Sequence, residues 1–136
     1  MISPMQPEGM NNQRLDKLIH SIGNDVEGDL GYWKFEAHGI VMFCITDEAH
    51  DRMRVMAPVA SADDITEELA RACLLANFDR ALDARYCLNE ETLWGAFLHP
   101  LRSLTDNLFG SACRQVSEVV KNFGTSYSSG ELMFGG

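Results

Sequence analysis

The order in which hydrophobic periodicity changes along the chain constrains its fold more than any other feature. A stretch with a helical period is followed by three stretches that alternate, then by one helical, two alternating and one long helical stretch. Leu15, Leu18, Ile19 and Ile22 form one apolar stripe of a short amphipathic helix that ends near Gly23. Gly28-Asp29-Leu30-Gly31 then breaks the chain ahead of the first strand. In Tyr32–Ala37, Trp33, Phe35 and Ala37 share one face and Tyr32, Lys34 and Glu36 the other, the signature of a half-buried strand. His38-Gly39 reads as a tight turn. Ile40–Ile45 is apolar on both faces, which suits a strand near the centre of a sheet, and residues 46–51 form a polar hairpin connection. Arg52–Ala57 alternates again and stops at Pro58, so these three strands make an antiparallel meander.

Ser61-Ala62-Asp63-Asp64 offers N-cap candidates for a second helix running to about Phe78. Asp64, Glu67 and Glu68 oppose the dipole in its first turn. Its inner stripe is Ile65, Leu69, Ala72, Cys73 and Ala76. A fourth strand places Leu82, Ala84, Tyr86 and Leu88 inward and Asp83, Arg85 and Cys87 outward. After the turn Asn89-Glu90-Glu91, a fifth strand, Thr92–His99, puts Trp94, Ala96 and Leu98 on one face and Leu93, Gly95 and Phe97 on the other. Ser103–Asp106 is an N-terminal capping signature for a last helix striped by Leu104, Leu108, Ala112, Val116, Val119 and Phe123 and stopped by Gly124. The expected fold is therefore α+β, in the order α-β-β-β-α-β-β-α, with a twisted antiparallel five-stranded sheet packed against the first and third helices. We expect a single domain over residues 13–127, preceded by a loose leader over 1–12 and followed by a Gly/Ser-containing tail over 128–136.

At 136 residues with 46% apolar content, one such domain buries a core without disulfides or a structural metal. The net charge of −9 repels nucleic-acid phosphate, which disfavours a general DNA or RNA binder. Met1–Gln13 lacks the cationic start and apolar run of a signal peptide, and Ile40–Ile45 is far too short to span a membrane. Cys44, Cys73, Cys87 and Cys113 are widely spaced, show no ligand spacing, and read as free thiols in a reducing compartment. We expect a soluble cytoplasmic protein with no membrane partner.

No catalytic motif is present, and we expect neither an enzyme nor a cofactor. His20, His38, His50 and His99 are scattered over a helix, two turns and a strand end, and surface or capping roles account for them. Asp47, Glu48 and Asp51 crowd one turn but lack the spaced oxygen ligands of a calcium loop, so no metal is expected. Glu67-Glu68 and Glu90-Glu91 do not form an opposed catalytic carboxylate pair. Of the cysteines only Cys87 points outward and merits a test of reactivity.

One constellation remains. If Trp33, Phe35, Met53, Val55, Leu82, Ala84 and Tyr86 face the core, alternation turns Tyr32, Lys34, Arg52, Arg54, Met56 and Arg85 outward, with either Met42 or Phe43 from the apolar strand beside them. We take Met42 as the candidate. Four of eleven cations thus fall on one sheet face of an acidic chain, partly offset by Glu36 and Asp83. Methionine and aromatic side chains beside arginines suit adaptable contact with a peptide. Against this stands a plain alternating sheet shielded by long cationic stems, or a face covered by helices whose carboxylates pair the arginines.

The element order, with the stretches NFDRALDARYCLNEETLWGAFLHPL (77–101) and VVKNFGTSYSSG (119–130), resembles the class I type III secretion chaperones and the YbjN-type bacterial proteins described as sensory transduction regulators. The resemblance covers roughly residues 12–127. It implies a homodimer whose surface binds an extended segment of another polypeptide, with the second helix at the sheet edge and in the dimer interface. The function it implies is non-enzymatic: holding or regulating a partner polypeptide segment. One alternative is a regulatory module that binds a folded partner. Another is a small-molecule-binding or minor enzymatic domain that uses a sheet–helix pocket with Cys87 or His99.

Overall fold

In the computed structural model, which describes residues 9–79 and 82–123, the elements follow one another as α1 (Asn12–Ile22), β1 (Asn24–Asp29), β2 (Tyr32–Ala37), β3 (Ile40–Asp47) and β4 (Arg52–Ser61). Then come α2 (Glu67–Asp79), β5 (Arg85–Leu88), β6 (Thr92–His99) and α3 (Asp106–Asn122). The strands form one antiparallel sheet in the order β1-β2-β3-β4-β6-β5. The α+β class holds, but the sheet has six strands, not five. The extra strand, β1, escapes sequence reading because Asn24-Asp25-Val26-Glu27-Gly28-Asp29 is built from poor strand formers and buries almost nothing. It exists because β2 offers an unpaired edge, to which it is zipped at Glu27↔Lys34, Gly28↔Trp33 and Asp29↔Tyr32.

Both α1 and α3 pack on one face of this sheet. Trp33, Phe35, Cys44, Val55 and Phe97 are buried there against Leu15 and Ile19 of α1 and Phe109, Val116 and Val119 of α3. The rings of Phe35 and Phe109 lie 6.4 Å apart, and Trp33 Nε1 donates to Asp16 Oδ1 at 2.9 Å, fixing α1 to β2. Across β6, α3 sits so close that a Cβ at Gly95 would come within 3.0 Å of Val119 Cγ1.

Two boundaries differ from expectation for physical reasons. β4 does not stop at Pro58; it runs to Ser61, and a register shift between Pro58 and Ala60 accommodates the missing N–H. The proposed caps at residues 61–64 are spent on a short turn of tighter helix, and α2 is capped instead by Thr66, whose Oγ1 accepts from Leu69 N at 3.1 Å. Within the segment expected as a leader, residues 9–12 are held. Met10 is buried and donates its backbone N–H to Arg102 O at 3.1 Å, and Asn11 Oδ1 accepts from Arg14 N as the N-cap of α1. The expected tail over 128–136 lies outside the described residues.

Candidate protein-docking face

The sheet face opposite α1 and α3 is the candidate site, and its composition follows from the β2–β3 hairpin. His38 and Gly39 both take positive φ (55° and 77°), the two-residue turn that matches strand twist, and Ala37 pairs with Ile40 across it. Residues directly opposite share a face. Buried Ala37 therefore sets Ile40, Met42 and Cys44 inward, and Val41, Phe43 and Ile45 outward. Met42 is fully buried, opposite Phe35, so its candidacy is corrected: Phe43 occupies the outer position, paired with Lys34 and Met56.

The remaining candidates fall as the alternation requires. Tyr32, Lys34, Arg52 and Arg54 are exposed, and Met56 and Arg85 are half-buried on the same face. Register draws them into two rows that cross the strands. One row runs Asp29, Tyr32, Ile45, Arg54 and Leu98; the next runs Glu27, Lys34, Phe43, Met56, Ala96 and Arg85. Phe43 packs against Tyr32 and edge-on against Trp94, with ring centroids 6.2 Å apart in each pair, so an aromatic diagonal crosses the meander into β6. Leu98 is 61% exposed and Tyr32 48%, so no described helix seals this floor. Trp94 and Leu98 were legible as residues of one strand face. Their membership of this surface was not, because the β4–β6 neighbourhood is set by strand order and not by alternation.

The cations differ in how free they are. Arg85 turns its Nη1 back onto the carbonyls of Leu82 and Ala84 and so stays at the β5 edge. Lys34 has Glu27 opposite it on β1. Arg52 and Arg54 make no ion pair among the described residues, where the ion pairs found are His20–Asp16 and His50–Asp47. Asp47, the residue opposite Arg52, is occupied by His50, whose Nδ1 lies 2.8 Å from Oδ2 and whose backbone N–H donates to Oδ1 at 3.2 Å. Those bonds hold the Asp47 carboxyl below its ordinary value. Arg52 and Arg54 border a shallow hollow of about 350 Å³ shared with His50, Leu98 and His99. On β5, opposite Trp94, Cys87 is exposed; burial of its sulfur pushes the thiol up, and the Arg54 charge partly counters this.

Both edges of the sheet are guarded. At β5 the Asn77 carboxamide of α2 donates to Tyr86 O at 3.0 Å and accepts from Tyr86 N at 2.8 Å, occupying the peptide groups that Tyr86 would offer a further strand. Gln115 Oε1 takes the N–H groups of Asp83 and Ala84 just upstream. At the other edge β1 carries a register shift, positive φ at Asp25 and Gly28, and the acids Asp25, Glu27 and Asp29. These are the devices by which sheets discourage edge pairing. Beside the β5 edge, α2 exposes Leu74 (69%) and Phe78 (89%), with Leu75 and Leu88 also open.

No protein-family model matches the chain, and no curated protein matches it. Solved structures do. A chain of the HopA1–SchA chaperone–effector complex superposes with a TM-score of 0.62 at 17% identity, over 80% of this chain and 88% of that one. YbjN from E. coli, described as a candidate transcription regulator, superposes with a TM-score of 0.60 at 12% identity, over 88% of this chain and 92% of its own. The fold is the one these proteins share. The expected likeness to the secretion chaperones and to YbjN holds at that level, and both neighbours are proteins of a chaperone or regulatory kind. No described helix is long and apolar enough to cross a membrane.

Proposed function

We propose that this chain is a non-enzymatic protein-binding domain that docks a segment of a partner polypeptide on the outer sheet face, as a chaperone or as a regulator. The observation that carries the reading is a floor of Tyr32, Phe43, Ile45, Met56, Trp94 and Leu98 that no described helix covers, with Tyr32 and Leu98 exposed, beside Arg52 and Arg54, which make no ion pair among the described residues. A sheet normally buries an apolar face against another layer of structure. Here α1 and α3 cover one face, and no described helix covers the other. Lys34 and Arg85 complete the cationic rim. We propose in addition a cytoplasmic homodimer joined through α2, whose exposed Leu74, Leu75 and Phe78 make an apolar stripe too continuous for a solvated helix. Free cysteines, three of them buried, fit a reducing compartment.

The test places a photo-crosslinking residue at Met56 in the wild-type chain and in the double variant Arg52→Glu/Arg54→Glu, both exposed to lysate of the source cells. One polypeptide crosslinked by the first and lost from the second is the expected result; equal crosslinking by both defeats the reading. A captured partner that stays protease-sensitive marks a chaperone, and a resistant one marks a regulator of folded protein. For the dimer, light scattering of Phe78→Asp should report half the wild-type mass.

A further inference from the structure

Which kind of segment fits the outer face follows from its hydrogen-bonding opportunities, granted the docking reading above. An extended peptide brings unsatisfied N–H and C=O groups, and it satisfies them by adding to a sheet edge. Neither edge offers that. Tyr86 already spends both of its outward groups on Asn77, and β1 is bulged, acidic and kinked at Asp25 and Gly28. Between the edges, every strand of the outer face has its backbone groups engaged with its neighbours. A segment on this face must therefore bring its own backbone bonds, and an α-helix does so.

We infer that the outer sheet face is a seat for an acidic amphipathic helix of the partner, laid along β4. Its apolar stripe rests on Phe43, Met56, Leu98 and Trp94, and small Ala96, opposite Met56, leaves the floor low between them. From Arg52 to Pro58 the strand extends about 20 Å, the length of a helix of about 13 residues. Arg52 and Arg54, two residues apart on one strand, stand about 7 Å from each other along it. Carboxylates at i and i+4 of a helix are separated by about 6 Å and so meet both guanidiniums at once. Sign and spacing thus both favour acidic side chains at one end of the helix. Of the acids on the same surface, Glu27, Asp29 and Glu36 lie on β1 and β2 and Asp83 just ahead of β5, none of them on β4 or its neighbours β3 and β6, and Asp47 is held by His50.

Three labelled peptides of about 15 residues, long enough to cover that span, test this against the full chain. One has a helical apolar stripe with Glu at i and i+4; the second replaces Glu by Lys; the third rearranges the first into strict alternation. Anisotropy should rank the acidic helix tightest by at least about tenfold over both others, and Arg52→Glu/Arg54→Glu should weaken it by a similar factor. Amide and indole shifts should gather at Met56, Ala96, Leu98 and Trp94. Tighter or equal binding of the alternating peptide, equal binding of the Lys peptide, or shifts confined to β1 or β5 each overturn the helical seat. So does an absence of outer-face shifts with the acidic helix at millimolar concentration. If crosslinking at Met56 still depends on Arg52 and Arg54 after any of these results, the docking reading survives and only the helical occupant falls. If that dependence is absent, both fall.

Discussion

Gln115 of α3 reaches across to the start of β5 and accepts the backbone N–H of Ala84 on Oε1 at 3.1 Å, sharing that oxygen with Asp83 N at 2.7 Å. Its Nε2 donates in turn to Ser111 Oγ at 3.1 Å. This is one of two buried polar residues among those described, and it is there because the strand needs an acceptor just before its first pair with β6. Gln115→Leu keeps the volume and removes the acceptor. The buried Ala84 N–H is then left without a partner, at a cost of about 1–3 kcal/mol. Urea titration should show the lower midpoint with an unchanged slope, and Gln115→Glu, which keeps the acceptor, should lose less.

The Asn77–Tyr86 pair predicts an association phenotype. Asn77→Ala frees the outward N–H and C=O of Tyr86, and the β5 edge becomes available to another strand. Hydrogen exchange at the Tyr86 amide should accelerate, and sedimentation should show species larger than wild type that grow with concentration. Unchanged exchange at Tyr86 would mean the carboxamide is not what protects the edge.

Gly95 is where β6 and α3 touch most closely. An added Cβ would meet Val119 Cγ1 at 3.0 Å and Val120 Cγ2 at 3.6 Å, and Tyr86 Oη donates to Val119 O at 2.9 Å beside it. Gly95→Ala should therefore lift the helix and cost about 1–3 kcal/mol by overpacking, although alanine suits a strand better than glycine. A thermal melt that rises instead would show that Val119 yields freely.

How much of this was legible depends on what each residue answers to. β2 and β6 were readable to the residue, because alternation in Tyr32–Ala37 and Thr92–His99 is bounded by His38-Gly39 and Pro100. The phase of β3 was also written in the chain. A two-residue turn at His38-Gly39 pairs Ala37 with Ile40 and sends Met42 inward, but a run apolar on both faces hides its phase unless the turn is used to set it. β1 had no such signal, since its Asn, Asp and Gly residues become a strand only by borrowing the edge of β2. Asn77 and Gln115 look like ordinary helix polars, and their partners lie across tertiary contacts that no local pattern encodes. The outer face was placed correctly by parity for Tyr32, Lys34, Arg52, Arg54, Met56 and Arg85. Its aromatic diagonal waited on the knowledge that β6 lies beside β4.

Asp47 ties acid sensitivity to the β3–β4 turn. Its carboxyl is held low by the His50 side chain and backbone N–H, so its folded value is depressed relative to the unfolded chain. A depressed carboxyl contributes stability above its unfolded value, near 3.8, and loses it as pH falls through the lower folded value. Asp47→Asn should therefore lower stability at neutral pH and converge with wild type in strong acid. Parallel stability curves across that window would contradict the assignment.

Thiol chemistry reads the same outer face by another route. Cys44 and Cys113 are fully buried, and burial pushes their thiols up, Cys113 to about 12; Cys73 rises to about 11. Only the thiolate attacks a disulfide reagent, so these three should stay silent in the folded protein and react after unfolding. Cys87 is exposed but raised by burial of its sulfur, with Arg54 pulling the other way. It should titrate alone under native conditions, more slowly than free cysteine at neutral pH. Removing the opposing charge with Arg54→Met should slow it further, whereas Lys34→Met, separated from Cys87 by β3, β4 and β6, should leave its rate unchanged. If Arg54→Met leaves the Cys87 rate where it was, the guanidinium is not held over the β4–β6–β5 side of the face. The acidic end of a docked helix would then have to find its partner at Arg52 alone.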